Sequence, residues 1–421
     1  MEPIDRVHTE LLPMWILSTS SAAGETDEDE AFRELMAALE DSRADALPGI
    51  AERLRGAVRR GETGEEFGDL LAEWNEALDA EGIPFVVRGG ALVTPKGPQH
   101  FVTAARTLYD LPIGVGETSA RIRVVERVDG TNVRESVLGE TGELVEGGLV
   151  LSDRVLEFAT DRVWSVLDED ATMPGWATAF AAGVRDEVRR DLPPDVHALL
   201  ERTAAARMKA VEATLSIQAR RPCSGFILRD LGWNGWAEKD LESLKRYIEH
   251  GDCPKVYEVE YEAIRDFSRT ARATDGLEEA LAALLAWSMR PIALHEGRHA
   301  ADAAIAGALA DPVPCSLCTG LTDRERIELS AYTAQFAWTG APATSTYQAC
   351  LAIGGRGGSH RGAIGFLFEQ LDADCILGLP SVEDLRAFET RAFDRDAAVV
   401  LPPSFPDRVS LPPRAKLATD R

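Results

Sequence analysis

At 421 residues the chain can bury a large core, and its length alone suggests two or three domains. Hydrophobic residues make up 45% and charged residues 27%, the balance of a globular protein. Against 45 Lys+Arg stand 70 Asp+Glu; the resulting formal charge of -25 repels phosphate backbones and anionic lipid, which argues against a nucleic-acid or membrane-surface role.

No apolar stretch is long enough to cross a bilayer. Near the N-terminus, Leu11 to Leu17 form a short apolar run followed by small residues, which faintly resembles a signal-peptide core. Glu2, Asp5 and Glu10 precede it where a signal needs net positive charge. A cytoplasmic chain is therefore the default expectation, with an exported origin left open. Six cysteines fit either compartment, as thiols or a structural metal site in one and as disulfides in the other.

Residues 1–82 read as helical. Thr26 and Asp27 offer N-caps ahead of Phe32, Leu35, Met36 and Leu39, and Phe67, Leu70, Leu71, Trp74 and Leu78 repeat the helical spacing until Gly82. From 83 to 152 the character is β. Phe85-Val86-Val87 and Ala91-Leu92-Val93 are short β-prone runs separated by Gly89-Gly90. Arg121 to Val128, Asp129-Gly130 and Val133 to Leu138 read as a hairpin, and Leu144-Val145 and Leu149 to Leu151 extend it. With no helices between these segments, a small antiparallel sheet is expected rather than a parallel one.

Residues 153–400 are dominated by helical patterns: 154–167, 174–190, 195–220, 238–250, 259–272 and 277–290. Pro291 suits the first turn of a following helix or a kink. The segment 401–421 is rich in proline and reads as an extended tail over the surface. Gly354 to Gly358 is glycine-rich but follows no strand, so it reads as a loop rather than a phosphate cradle. The fold class expected is α+β, predominantly helical, with the sheet in the N-terminal half.

One segment carries chemistry: Leu294-His295-Glu296-Gly297-Arg298-His299. On a helix, His295 and His299 lie one turn apart on one face, so both imidazoles reach one ion. Glu296, beside the first ligand, is placed to take a proton from a water on that ion. The alternative, two core histidines satisfied by hydrogen bonds, is costly on so apolar a helix. A catalytic zinc needs a third protein ligand and an open position. In the helix that follows, Thr322 and Glu325 match a capping box, which gives Glu325 a structural role and leaves it in reserve. Arg326, Ser330, Thr333 and Ala337 form a polar or small face expected toward solvent. Glu328, Tyr332 and Gln335 share the opposite side, where a carboxylate needs a cation or a donor; Glu328 is therefore the expected third ligand.

The set His295, Glu296, His299 and Glu328, with Ala331 and Tyr332 completing a Glu-Leu-Ser-Ala-Tyr segment, resembles the zincin metallopeptidases and within them the gluzincin arrangement. The resemblance covers about fifty residues, and the metzincin spacing of a Gly and a third His is absent. It implies a helical zincin-like C-terminal half, a zinc cofactor, Glu296 as general base, and a peptide or protein substrate. It also implies a Tyr or His that stabilises the oxyanion, for which Tyr332 and His360 are the candidates. Asp302, three residues after His299, is either an orienting partner for a ligand imidazole or a surface carboxylate. Cys315, Cys318, Cys350 and Cys375 could form a second zinc site, two disulfides or free thiols. A zinc protein without turnover and a zinc hydrolase of a non-peptide amide or ester are the rival readings.

Overall fold

The computed structural model describes residues 2–20, 25–42, 44–95, 97–129, 138–142, 146–169, 175–220, 231–249, 256–306, 313–354, 358–375, 380–393 and 398–411. The N-terminal helical region holds α1 (Pro3–Arg6), α2 (Leu12–Ser20), α3 (Glu25–Glu40), α4 (Leu47–Arg60) and α5 (Glu65–Ala80), with a π-helical turn over Val7–Leu11 joining the first two. The apolar run that resembled a signal core is core of another kind. Leu11, Leu12, Trp15 and Ile16 are buried with Phe32, Leu54, Leu71 and Trp74 in one cluster. Helix α4 follows the same logic, burying Leu47, Ile50, Leu54 and Val58 at helical spacing and stopping at Gly61, whose φ of 73° suits a left-handed cap.

The sheet is built from β1 (Phe85–Thr94), β2 (Gly97–Val115), β3 (Thr118–Arg127), β4 (Gly139–Thr141), β5 (Gly148–Leu151) and, much later, β6 (Val399–Val400). Strand order is β1-β2-β3-β5-β4, with β6 paired to β2. All pairs are antiparallel except β3 and β5, which run parallel, so the sheet is mixed rather than purely antiparallel. The short β4 precedes β5 in the chain and pairs with it antiparallel, which leaves β5 parallel to β3. Of the expected hairpin, Gly130 and residues 133–137 of the strand Val133 to Leu138 fall outside the described residues, as do Leu144 and Val145; Asp129 is described and buried, its carboxylate accepting from Ala104 N–H at 3.0 Å. Instead, β3 forms a hairpin with β2 about Gly116. β1 runs straight through Gly89-Gly90, paired residue by residue to β2. Its early edge is closed by Asn75, whose side chain donates to Val87 O at 2.8 Å and accepts from Val87 N–H at 2.7 Å.

Beyond the sheet come α6 (Ser152–Phe158), α7 (Gly175–Asp191), α8 (Pro194–Arg220), α9 (Glu238–Glu249), α10 (Glu258–Ala273) and α11 (Leu277–Ala306). They are followed by α12 (Asp323–Trp338), α13 (Pro342–Gly354), α14 (Ser359–Gln370) and α15 (Val382–Phe393). The chain is thus predominantly helical with a small sheet in its N-terminal half. Pro291 neither starts nor ends a helix; α11 continues through it. Tight burial on every side holds that helix together despite the missing N–H. Leu285, Met289, Ile292 and Ala293 of α11 meet Ile113, Ile122, Val124 and Val150 of the sheet in one apolar layer. The proline-rich segment is anchored as far as it is described: Phe405 and Val409 join that layer, and Val409 N–H donates to Ala282 O at 3.2 Å. Residues 412–421 and the glycines at 355–357 lie outside the described residues. No helix among the described residues is long and apolar enough to cross a membrane.

A buried imidazole ties the first helices to the sheet. His8 donates from Nδ1 to Ile4 O at 2.9 Å and accepts Trp74 Nε1–H at 3.2 Å on Nε2, while its ring stacks on Phe85 at 4.6 Å. Both nitrogens are satisfied only in the neutral tautomer, and burial lowers its pKa to about 4. Between its folded value and the ordinary 6.5, the unfolded chain binds the proton that the folded chain refuses. Stability is therefore expected to fall as pH drops from about 6.5 toward 4, by about 3 kcal/mol at most. Denaturant titrations of the wild type and His8→Gln across that window check it; equal pH slopes in the two proteins would contradict it.

Candidate metal centre

The C-terminal half of α11 delivers two imidazoles. Spaced one turn apart, His295 and His299 bring their Nε2 atoms to 3.1 Å, with the rings edge to face. α12 crosses this helix and supplies Glu328, whose Oε2 lies 3.5 Å from His295 Nε2 and 3.6 Å from His299 Nε2. A tetrahedral zinc with bonds of about 2.0–2.1 Å holds its ligand atoms about 3.3 Å apart. The observed triangle has that size, and the three residues are the one cluster of metal-ligand type among the described residues. Buried Glu328 Oε2 faces imidazole nitrogens, His295 and His299 Nε2 and, at 3.0 Å, His360 Nδ1, an arrangement of donors that a cation would suit. The donor set therefore fits a single divalent ion of the zinc type.

Electrostatics agree with the geometry. Burial pushes the Glu328 carboxyl up, yet the contacts from His295, His299 and His360 outweigh it and hold the group well below the usual carboxylate range. Burial pulls His299 down, and Glu328, Glu296 and Asp302 raise it above the ordinary imidazole value.

Glu296 sits next to His295 under the sheet. Thr141 Oγ1 of β4 donates to its Oε2 at 2.8 Å. β4 and β5 come this close because Gly139 and Gly148 face the helix: a Cβ at either would fall 2.7 Å from Glu296 side-chain atoms. Glu296 is 5% exposed. β4 is in turn pinned by an ion pair between Glu140 and Arg88 of β1.

Tyr332 and His360 both reach the site. The Tyr332 ring packs edge-on against His295 at 4.6 Å, and its hydroxyl lies 3.2 Å from His360 Nδ1. His360 enters from the first turn of α14, with Nδ1 3.0 Å from Glu328 Oε2; that carboxylate raises its pKa against the opposing pull of burial. Burial and the charges of Glu328 and Glu296 push the Tyr332 phenol up, so it stays protonated and able to donate.

Glu325 is not a ligand. It closes the capping box, accepting Thr322 N–H at 2.8 Å while its own N–H donates to Thr322 Oγ1 at 3.3 Å. Asp302 is buried rather than a surface carboxylate, and its charge raises the His299 pKa. Arg298 Nε lies 3.1 Å from its Oδ1, and Ser330 Oγ–H donates to Oδ2 at 2.5 Å. Arg298 Nη2 meets Glu389 Oε1 of α15 at 2.9 Å, and Trp338 Nε1–H donates to Glu389 Oε2 at 3.1 Å. The side of α12 expected toward solvent is thus interior: Ser330, Thr333 and Ala337 are buried, because α11 and α15 both pack against this helix. The four cysteines near the site do not share a metal. They form disulfides, Cys315–Cys318 and Cys350–Cys375; Cys223 and Cys253 lie outside the described residues.

Sequence reading missed one partner. His295 Nδ1 donates to Gln335 Oε1 at 3.1 Å. The signal was present, since Gln335 shares the helical side of Glu328, but nothing in the pattern paired it with that ring. No protein-family model, curated protein or solved structure matches the chain.

The network around Arg298 makes a stability prediction. Arg298→Met leaves the Asp302 and Glu389 carboxylates buried without their cation, and a loss of about 3–5 kcal/mol is expected. Urea unfolding measures it; a loss under about 1 kcal/mol would show the ion network to be dispensable.

Proposed function

We propose that the chain is a zinc-dependent hydrolase that cleaves an amide bond, most consistently in a peptide. The observation that carries this reading is the convergence of His295, His299 and Glu328 beside Glu296. A site built only to hold an ion has no use for a fourth, non-ligating carboxylate held against its edge by Thr141.

A zinc ion there would polarise the scissile carbonyl and make a water nucleophilic near neutral pH. Glu296 takes the proton of the attacking water and hands it to the leaving nitrogen, its carboxylate aimed by the Thr141 hydroxyl. The Tyr332 hydroxyl and the His360 imidazole, 3.2 Å apart on the open side of Glu328, donate to the oxygen that gains negative charge. Burial of the base beneath the sheet keeps bulk water from competing for the proton.

A peptide is favoured because β4, the last strand in the sheet order, lies directly over Glu296. An extended backbone laid along that strand by β-pairing would bring its carbonyls to the ligands. The zincin resemblance supports the same substrate class. A non-peptide amide or ester is the second reading, favoured by the low exposure of His295 and Glu296, 7% and 5%.

Purified chain is expected to carry about one zinc per molecule and to cleave an unfolded protein such as casein until a chelator removes the metal. Glu296→Gln should retain zinc and lose activity about 10²–10⁴-fold. Metal analysis with peptide and small-amide assays checks both. Zinc without turnover of either substrate class would leave a binding protein, and no zinc would remove the hydrolase reading.

A further inference from the structure

Beyond the ligands themselves, a two-residue amide relay runs from the protein interior to the first imidazole. His295 Nδ1 faces Gln335 Oε1 at 3.1 Å, and Gln335 Nε2–H donates to Gln348 Oε1 at 3.1 Å. Gln335 is buried, 1% exposed, whereas Gln348 is half-buried at the far end.

A primary amide offers an acceptor at one end and donors at the other, and the chemistry of the two ends is not interchangeable. Gln348 takes the donor end of Gln335, so the acceptor end is turned to His295. That acceptor holds the proton of His295 on Nδ1 and leaves the lone pair on Nε2, the atom pointed at His299 and Glu328. Were Gln335 reversed, its nitrogen would face Nδ1 and the ring proton would move to Nε2, where it would block coordination. Burial of Gln335 makes the choice sharp, since no solvent is at hand to satisfy the wrong arrangement.

We infer that Gln335 and Gln348 are positioning residues that fix the tautomer and ring orientation of His295 for a divalent metal of the zinc type. The inference rests on the metal-centre reading above. The relay crosses three helices, α11, α12 and α13, and its outer end is secured nearby. Gln348 stands two residues before Cys350, which is bonded to Cys375 in the chain that leaves α14.

The test uses the full chain, freed of metal and titrated with zinc against a chromophoric chelator, with cobalt absorption as a report on ligand geometry. Gln335→Met keeps the volume and removes the acceptor. It is expected to weaken zinc binding about 10–100-fold and to alter the cobalt spectrum. Gln335→Glu keeps the acceptor and should bind within a few-fold of wild type. Gln348→Met, which frees the amide to turn, should fall between them. Folding is followed in parallel by circular dichroism.

Wild-type affinity in folded Gln335→Met overturns the relay, as does an equal loss in Gln335→Glu and Gln335→Met, which would mark a packing role alone. If Gln335→Met does not fold, Gln348→Met decides: unchanged affinity there overturns the proposal. Failure of the wild type to bind zinc overturns the metal centre itself, and the relay with it.

Discussion

A carboxylate buried against two imidazole nitrogens is the constraint to which the C-terminal half is fitted. Glu328 Oε2 lies near 3.5 Å from both Nε2 atoms, close enough to share an ion and too far for a good hydrogen bond to either. Desolvating three such acceptors costs more than an apolar contact could return, so the surrounding helices must hold them against their tendency to part. That task falls to groups outside the His295, His299 and Glu328 cluster. Arg298, inside the motif itself, joins α11 to Asp302, to Ser330 of α12 and to Glu389 of α15 in a layer almost free of solvent. The motif residue that sequence patterns treat as arbitrary is here the one that fixes the crossing of the two ligand helices.

The sheet contributes proximity rather than ligands. Its apolar face rests on α11, and β4 and β5 approach so closely that only glycine fits at two positions over Glu296. The N-terminal helices pack on β1 and β2 and so act on the site at one remove. Arg88 of the first strand in the sheet order is ion-paired with Glu140 of the last.

Legibility of the sequence followed the range of the interactions involved. Local signals read well: the His295/His299 spacing, the Thr322/Glu325 box and the separation of Glu325 from Glu328 by helical projection all depend on residues within a turn or two. The helices read at 174–190, 195–220, 238–250 and 259–272 were legible for the same reason, within a residue or two at their ends, whereas the one expected to stop at 290 runs on through Pro291 to Ala306. What stayed hidden was set by partners far along the chain. The 19-residue β2 carries no clean alternation, because its two ends pack on different clusters. The parallel β3–β5 pair depends on β5 lying between β3 and β4, an order of strands that no local pattern sets. Ser330 and Thr333 looked like a solvent face because small polar residues are ambiguous until the covering helix is known. Gln335 is the sharper case: its side of the helix was readable, while its hydrogen-bond partner lies 40 positions away.

The disulfide between Cys350 and Cys375 fastens α13 to the chain that leaves α14, and Cys315–Cys318 closes the turn just ahead of α12. Handling conditions therefore enter the chemistry. A thiol reductant would do two things to this molecule at once: it opens the staples that frame α12 and α13, and it offers soft sulfur that would compete for any ion held by His295, His299 and Glu328. Inactivation by dithiothreitol would not distinguish a loosened scaffold from a stripped centre. A phosphine reductant paired with added zinc separates the two.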